Sequence, residues 1–146
     1  MRLVSPEDSL ALGMHLASRA RPGDVIALSG PLGAGKTSIA RGLLAALGLQ
    51  EEAPSPSFAI VQPYAPPEVR FPVLHVDLYR IDDADEIAEL GLDEAESDSL
   101  LLIEWPERAP GYWPDALMLT LAIEEDGQRR LTAAVPPGWR ERWQQI

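Results

Sequence analysis

Apolar positions along this chain change period several times, and each change marks an element. From Ser5-Pro6-Glu7-Asp8 onward, Leu12 and Leu16, with Ala11 and Ala20 nearby, form a modest stripe at helical spacing. This predicts a first helix capped by Ser5, with proline at its first position, acids in its first turn and an end near Arg19. Arg21-Pro22-Gly23 reads as a turn. Asp24-Val25-Ile26-Ala27-Leu28 is a short apolar run expected to be a buried strand, and Ser38 to Leu47 has helical periodicity that stops at Gly48. The prolines between Glu51 and Phe58 forbid helix and predict an extended loop. Phe58-Ala59-Ile60-Val61 is a candidate short strand, and Tyr64 to Glu68 a surface turn.

From Val73 to Arg80 the pattern has a period of two. Val73, His75, Asp77 and Tyr79 share one face, and Leu74, Val76 and Leu78 the other. Asp82 to Asp98 carries nine carboxylates and no basic residue, with Ile87, Leu90 and Leu92 on a partial helical face. Such a run ordinarily means a solvated helix surface; a docking face for a basic partner is the alternative. Leu100-Leu101-Leu102-Ile103-Glu104-Trp105 reads as a central parallel strand with an acid at its carboxyl end, where ligands of open α/β sheets sit. Leu117–Ile123 and Leu131–Val135 read as a hairpin. Keeping its apolar face continuous favours a three-residue loop, Asp126-Gly127-Gln128, which pairs Ile123 with Leu131, Leu121 with Ala133 and Glu125 with Arg129. Trp139 and Trp143, four apart, predict a short terminal helix packed back on the sheet. Together these elements predict one α/β domain over residues 1–146. Its central sheet is mainly parallel, helices lie on both faces, and the hairpin extends it antiparallel at an edge.

The chemistry concentrates between the first strand and the second helix. Gly30-Pro31-Leu32-Gly33-Ala34-Gly35-Lys36-Thr37 spells G-x-x-x-x-G-K-T, the P-loop pattern of a phosphate-binding α/β protein. In the segment Pro31 to Ser38, the backbone amides from Leu32 onward would face the phosphates at a helix N-terminus, where the dipole adds positive charge. Lys36 is the chain's single lysine among twelve basic residues. A sequence that otherwise uses arginine keeps lysine where a compact ammonium must reach the β/γ-phosphates.

Composition narrows the partners. Cysteine is absent, which excludes thiol catalysis and zinc–thiolate sites. A net charge of -11 opposes independent binding to nucleic acid, so any nucleic acid is expected to be held by a partner protein. No apolar run reaches membrane-spanning length and no signal-peptide pattern is visible, so a cytoplasmic location is expected.

A P-loop needs a hydroxyl on Mg²⁺, a carboxylate for the metal or its waters, and a sensor of the γ-phosphate. Thr37 supplies the hydroxyl. Asp77 and Glu104 both qualify as the carboxylate. Ser55 and Ser57 lie in the first loop after the P-loop helix, where phosphate-sensing switches sit. His75 reads more naturally as a hydrogen-bonded strand residue than as a catalyst. The guanine-selective N/T-K-x-D element needs a second lysine, so ATP is the expected nucleotide. A small-molecule kinase is the competing class, but the chain shows no long lid segment to carry arginines.

The P-loop octet, Ser55-Pro56-Ser57-Phe58, His75-Val76-Asp77-Leu78-Tyr79-Arg80 and Ile103-Glu104-Trp105-Pro106-Glu107-Arg108 follow in an order and spacing that resemble the TsaE (YjeE) family. These are small bacterial ATPases of tRNA threonylcarbamoyladenosine biosynthesis. The resemblance implies that Lys36 and the loop amides hold the ATP phosphates, that Thr37 and Glu104 hold Mg²⁺, and that Asp77 lies in the metal's second shell. It also implies a Ser-Pro-Ser switch and a place for Trp105 beside the nucleotide. The implied partners are the subunits of the threonylcarbamoyl-transferase complex, with tRNA touched only indirectly. The family's switch pattern is S-P-T-x-T. Here Ser57 keeps the first hydroxyl and Ala59 lacks the second.

Overall fold

The computed structural model describes residues 1–51, 53, 60–83 and 85–146. The serine switch loop, with Ser55 and Ser57, lies outside the described residues, as do Phe58 and Ala59. Seven strands form one sheet in the order β1-β7-β6-β2-β5-β4-β3. They are β1 (Arg2–Leu3), β2 (Val25–Ser29), β3 (Val61–Tyr64), β4 (Val73–Asp77), β5 (Leu100–Glu104), β6 (Leu117–Ile123) and β7 (Arg129–Ala134). The four central strands β6, β2, β5 and β4 run parallel. The flanks pair antiparallel: β3 with β4, β7 with β6, and β1 with β7. The hairpin therefore does not form the edge itself. Its first strand joins the parallel core, and β1, which the sequence pattern did not reveal, closes the side.

Two layers cover the sheet. The helices α1 (Pro6–Ala17) and α2 (Lys36–Ala46) pack on one face, burying Leu12, Leu16, Ile39 and Leu43 over Ile26, Leu28, Leu100, Leu102, Leu117 and Leu119. On the other face Val25, Ala27, Leu101, Ile103, Val76 and Leu78 meet Ile87, Leu92, Ala109 and Trp113. All five residues of β5 are buried, which explains its unbroken apolar run: a strand covered on both faces has no reason to alternate. The alternation read for Val73 to Leu78 holds, with Val73 under the helices and Leu74, Val76 and Leu78 on the opposite face.

Three expectations need correction. The acidic stretch forms no continuous helix, only single turns α3 (Asp85–Ala88) and α4 (Leu92–Ala95). Ile87 and Leu92 plug the lower core while the acids stay outside. Of the strand sought at Phe58–Val61, Phe58 and Ala59 lie outside the described residues; the described strand is Val61–Tyr64, so Tyr64 belongs to a strand rather than to the turn. The hairpin loop has three residues, as expected, but they are Glu125-Asp126-Gly127: Glu124 N–H bonds to Gln128 O at 2.8 Å. Leu121 thus faces Leu131, Leu119 faces Ala133 and Ile123 faces Arg129. The reason is local. A three-residue loop needs its last residue in the left-handed region, and Gly127 (φ 83°) takes that place. Both registers keep the same parity, so the buried face could not distinguish them.

The short α5 (Arg140–Trp143) follows a 3-10 turn at Pro137–Trp139, and Trp139 packs into the upper core. The Arg142 guanidinium lies 3.9 Å from the Trp139 ring and bonds to Asp24 at 2.6 and 3.0 Å, pinning the C-terminal end to the start of β2. Among the described residues no helix is long and apolar enough to cross a membrane.

The helices α1 and α2 meet through glycines. A Cβ on Gly13 would stand 2.1 Å from the Ile39 carbonyl oxygen, and one on Gly42 would stand 2.2 Å from that of Leu10. Backbone cannot yield as a flexible side chain does. Gly42→Ala should therefore destabilise the protein by about 1–3 kcal/mol despite gaining ~1 kcal/mol of helix propensity. Chemical denaturation would show this as a lower midpoint at unchanged slope.

Candidate functional site

The P-loop leaves β2 at Ser29 and enters α2 at Lys36, two residues earlier than the apolar pattern alone placed the helix. Gly30, Gly33 and Gly35 all have positive φ, at 145°, 79° and 106°. Gly30 also passes so close to β6 that a Cβ would stand 2.7 Å from the Leu121 carbonyl oxygen. Side chains are excluded there by dihedral and by space. The two main helices also differ at their leading ends. Glu7 and Asp8 sit in the first turn of α1, and the Asp8 carboxylate accepts from the Val4 and Ser5 amides. The first turn of α2 has no acid, so its amide end and dipole are left for another anion.

Lys36 is 5% exposed. Its ammonium donates to the Gly30 carbonyl and lies 3.5 Å from the centre of the Trp105 ring. Burial lowers its pKa from the usual lysine value, against the opposing pull of Glu104, Glu107 and Asp77. Trp105 is held at φ 62°, a left-handed conformation that a bulky residue seldom adopts. That turn places the indole between Lys36 and Tyr79, whose ring centre is 4.8 Å away.

The acids come from strand register. Asp77 and Glu104 end adjacent parallel strands as direct partners, both buried and on the helix face of the sheet. Glu104 accepts from Thr37 Oγ1 at 3.3 Å through Oε1, and meets His75 Nε2 at 2.7 Å through Oε2. Asp77 accepts the Tyr79 amide at 2.8 Å. A cavity of ≈ 280 Å³ is lined by Leu32 to Ser38, Asp77, Glu104 and Trp105. Gly33, Ala34, Gly35 and Ser38 also line a second hollow of ≈ 310 Å³, which reaches Leu3, Pro6, Ser9 and Arg129. Size alone does not single out these spaces. A larger hollow, ≈ 390 Å³, opens at the opposite end of β2 beside Asp24, Trp113 and Trp139, away from the P-loop, Lys36 and Glu104.

The structure thus brings together Leu32 to Ser38, Asp77, Glu104 and Trp105 around one cavity, while Ser57 lies outside the described residues. Four further contacts were not legible in the sequence. Arg129 donates to the Gly33 carbonyl at 2.9 Å, and Ser29 donates to Glu107. Ser9 is buried against Gly35, and His75 ties into Glu104. Only the H-x-D spacing gave a signal for the last. The first three depend on helix and hairpin docking that no local pattern encodes.

A glycine turn joining a parallel strand to an acid-free helix N-terminus, with lysine, threonine and two strand-end acids around it, defines a P-loop α/β protein. Residues 3–132 match the family described as "Threonylcarbamoyl adenosine biosynthesis protein TsaE". The tRNA threonylcarbamoyladenosine biosynthesis protein TsaE of Bacillus subtilis is 35% identical over 133 residues, covering 90% of this chain and 82% of the relative. That of Treponema pallidum is 33% identical over 138 residues, covering 92% of this chain and all of the relative. The crystal structure of Bacillus subtilis YdiB superimposes with a TM-score of 0.81 at 30% identity, over 99% of this chain and 90% of that one. The chain belongs to the TsaE family.

Proposed function

We propose that this protein binds ATP with Mg²⁺ and hydrolyses it as an accessory to threonylcarbamoylation of the tRNA adenosine next to the anticodon. Its partners in that reading are the subunits of the transferase complex, which hold the tRNA. The observation that carries the nucleotide reading is the convergence of Lys36, Thr37 and Glu104 at an amide-rich helix end free of acid.

The residues fit the ligand. Gly33 has open space where a Cβ would stand, so the turn can admit a phosphate. Lys36 is already desolvated and, among the described residues, bonds a carbonyl and a ring face, contacts that a phosphate oxygen can replace at a gain. Thr37 Oγ1 and Glu104 would hold Mg²⁺, with Asp77 binding its waters. Among the described residues no three His, Cys, Asp or Glu side chains cluster as a metal cage. That suits an ion that keeps waters and shares ligands with phosphates. The bound ion would neutralise charge on the β- and γ-phosphate oxygens as the terminal bond breaks. Pro31 to Ser38 orient the phosphates, Lys36 draws charge from the γ-group, and Trp105 walls one side against water. The second hollow, with Leu3, Pro6 and Arg129, takes the nucleoside.

Phosphate release measured with and without the partner subunits tests this reading. The expected result is slow turnover alone and marked stimulation by the complex. Rapid, unstimulated transfer to a small acceptor would replace it with the kinase reading.

A further inference from the structure

We infer that His75 is a positioning residue, whose Nε2–H fixes one oxygen of Glu104 and turns the other towards Thr37. This rests on the nucleotide and magnesium reading above and assigns a role within that same site.

The geometry comes from strand register. His75 stands opposite Leu102, two pairs below Asp77 and Glu104 and so on their face of the sheet, and its side chain points to the helix face. It is fully buried, so it meets neither solvent nor the cavity as a proton carrier. From there its ring reaches diagonally to Glu104, with Nε2 2.7 Å from Oε2, while Oε1 faces Thr37 Oγ1 at 3.3 Å. Both carboxylate oxygens are thus committed, and the ring and the hydroxyl together set the rotamer.

The other ring nitrogen makes the case. A carboxylate can only accept, so the shared hydrogen sits on His75 Nε2 and leaves Nδ1 as an acceptor. Among the described residues Nδ1 has no partner and no exposure. An unpaired buried nitrogen costs stability, and an apolar side chain between Val73 and Asp77 would avoid that cost. What the imidazole supplies in return is its donor to Glu104.

Without that donor, Glu104 has one oxygen buried and unpaired near the Lys36 ammonium. Of the three acids acting on Lys36, Glu104 acts most strongly. A released carboxylate would swing towards the ammonium, and both groups would be withdrawn from triphosphate and metal at once. His75 therefore keeps the site's cation and its metal-holding acid apart.

The test combines a spectrum of the unaltered protein with two variants. The chain has only two histidines, and His15 is exposed on α1. In nitrogen-15 spectra of histidine-labelled protein, the buried imidazole should carry its hydrogen on Nε2 and none on Nδ1. His75→Leu should bind ATP in EDTA several-fold more weakly than the parent by calorimetry, because the freed Glu104 carboxylate holds Lys36 back from the phosphates. Its Mg²⁺ requirement for tightening that binding should rise by about tenfold, the usual scale for loss of a residue supporting a metal ligand. His75→Gln, which keeps a donor at that reach, should return to within about threefold. Hydrogen on Nδ1 with Nε2 bare, an unchanged metal requirement in His75→Leu, or no recovery in His75→Gln would each overturn the inference. If His75→Leu fails to fold, the spectrum and His75→Gln decide. A parent protein that binds no ATP would instead overturn the nucleotide reading, and the spectrum would still report the tautomer.

Discussion

Lys36→Met should weaken ATP binding by about 100-fold or more while leaving the melting temperature unchanged or higher. Methionine keeps the unbranched stem and roughly the volume, so packing against Trp105 survives. The charge is lost, and with it the bond donated to the Gly30 carbonyl. In the proposed complex that charge makes charge-assisted hydrogen bonds to phosphate, and losing about 3 kcal/mol of them corresponds to about two orders of magnitude in affinity. In the ligand-free protein the same charge is a burden, because burial lowers its pKa. The pH dependence has two opposite signs. The folded protein gives up the Lys36 proton at a lower pH than the unfolded chain, so between those points the unfolded chain holds more protons. Stability of the ligand-free protein then rises with pH towards 10.5. ATP affinity falls over the same interval, since the neutral amine cannot pair with phosphate. Calorimetry across alkaline pH and melting curves without nucleotide measure the two trends. A Lys36→Met protein that binds ATP within threefold of the parent would refute the role given to this side chain.

The chain states its topology where patterns are strong. The apolar runs of β2 and β5 and the glycine octet between β2 and α2 fix the parallel core, and they place Glu104 on the P-loop side. The alternation in β4 brings Asp77 to the same face as Glu104, although only the register makes them neighbours. What was hidden is non-local. β1 is two residues long and exists because Arg2 and Leu3 pair with β7, far away in sequence. Gly13 and Gly42 look like helix weaknesses in isolation; only the approach of α1 to α2 explains them. The hairpin register turned on where Gly127 can place a positive φ, information the apolar face does not carry.

The site divides the same way. Lys36, Thr37, Asp77 and Glu104 stood out because their types and spacings are chemical. His75, Ser9 and Arg129 act through contacts made by docked elements, with histidine on a strand being an ordinary sight. Trp105 lies between: its resemblance to family motifs implied a place beside nucleotide, while its left-handed backbone and its contact with Lys36 required coordinates.

Glu104→Gln should lower Mg²⁺-dependent hydrolysis by about 100-fold while leaving ATP binding in EDTA unchanged or tighter. The amide keeps the size of the carboxylate and one oxygen to accept from His75 Nε2–H, so β5 stays in place. It loses the negative charge that would hold the metal and would repel a phosphate in the absence of metal. Alanine is the wrong comparison here. Glu104 is 3% exposed, and truncating it leaves the His75 donor buried without a partner, a cost of roughly 1–3 kcal/mol unrelated to catalysis. A strand-end acid at the surface would not behave so; this one is part of the core beneath the site. Phosphate release across a Mg²⁺ titration, with melting curves as the folding control, separates the two effects. Undiminished hydrolysis by a well-folded Glu104→Gln protein would move the metal role to Asp77, its register partner on β4, because no other carboxylate lines that cavity among the described residues.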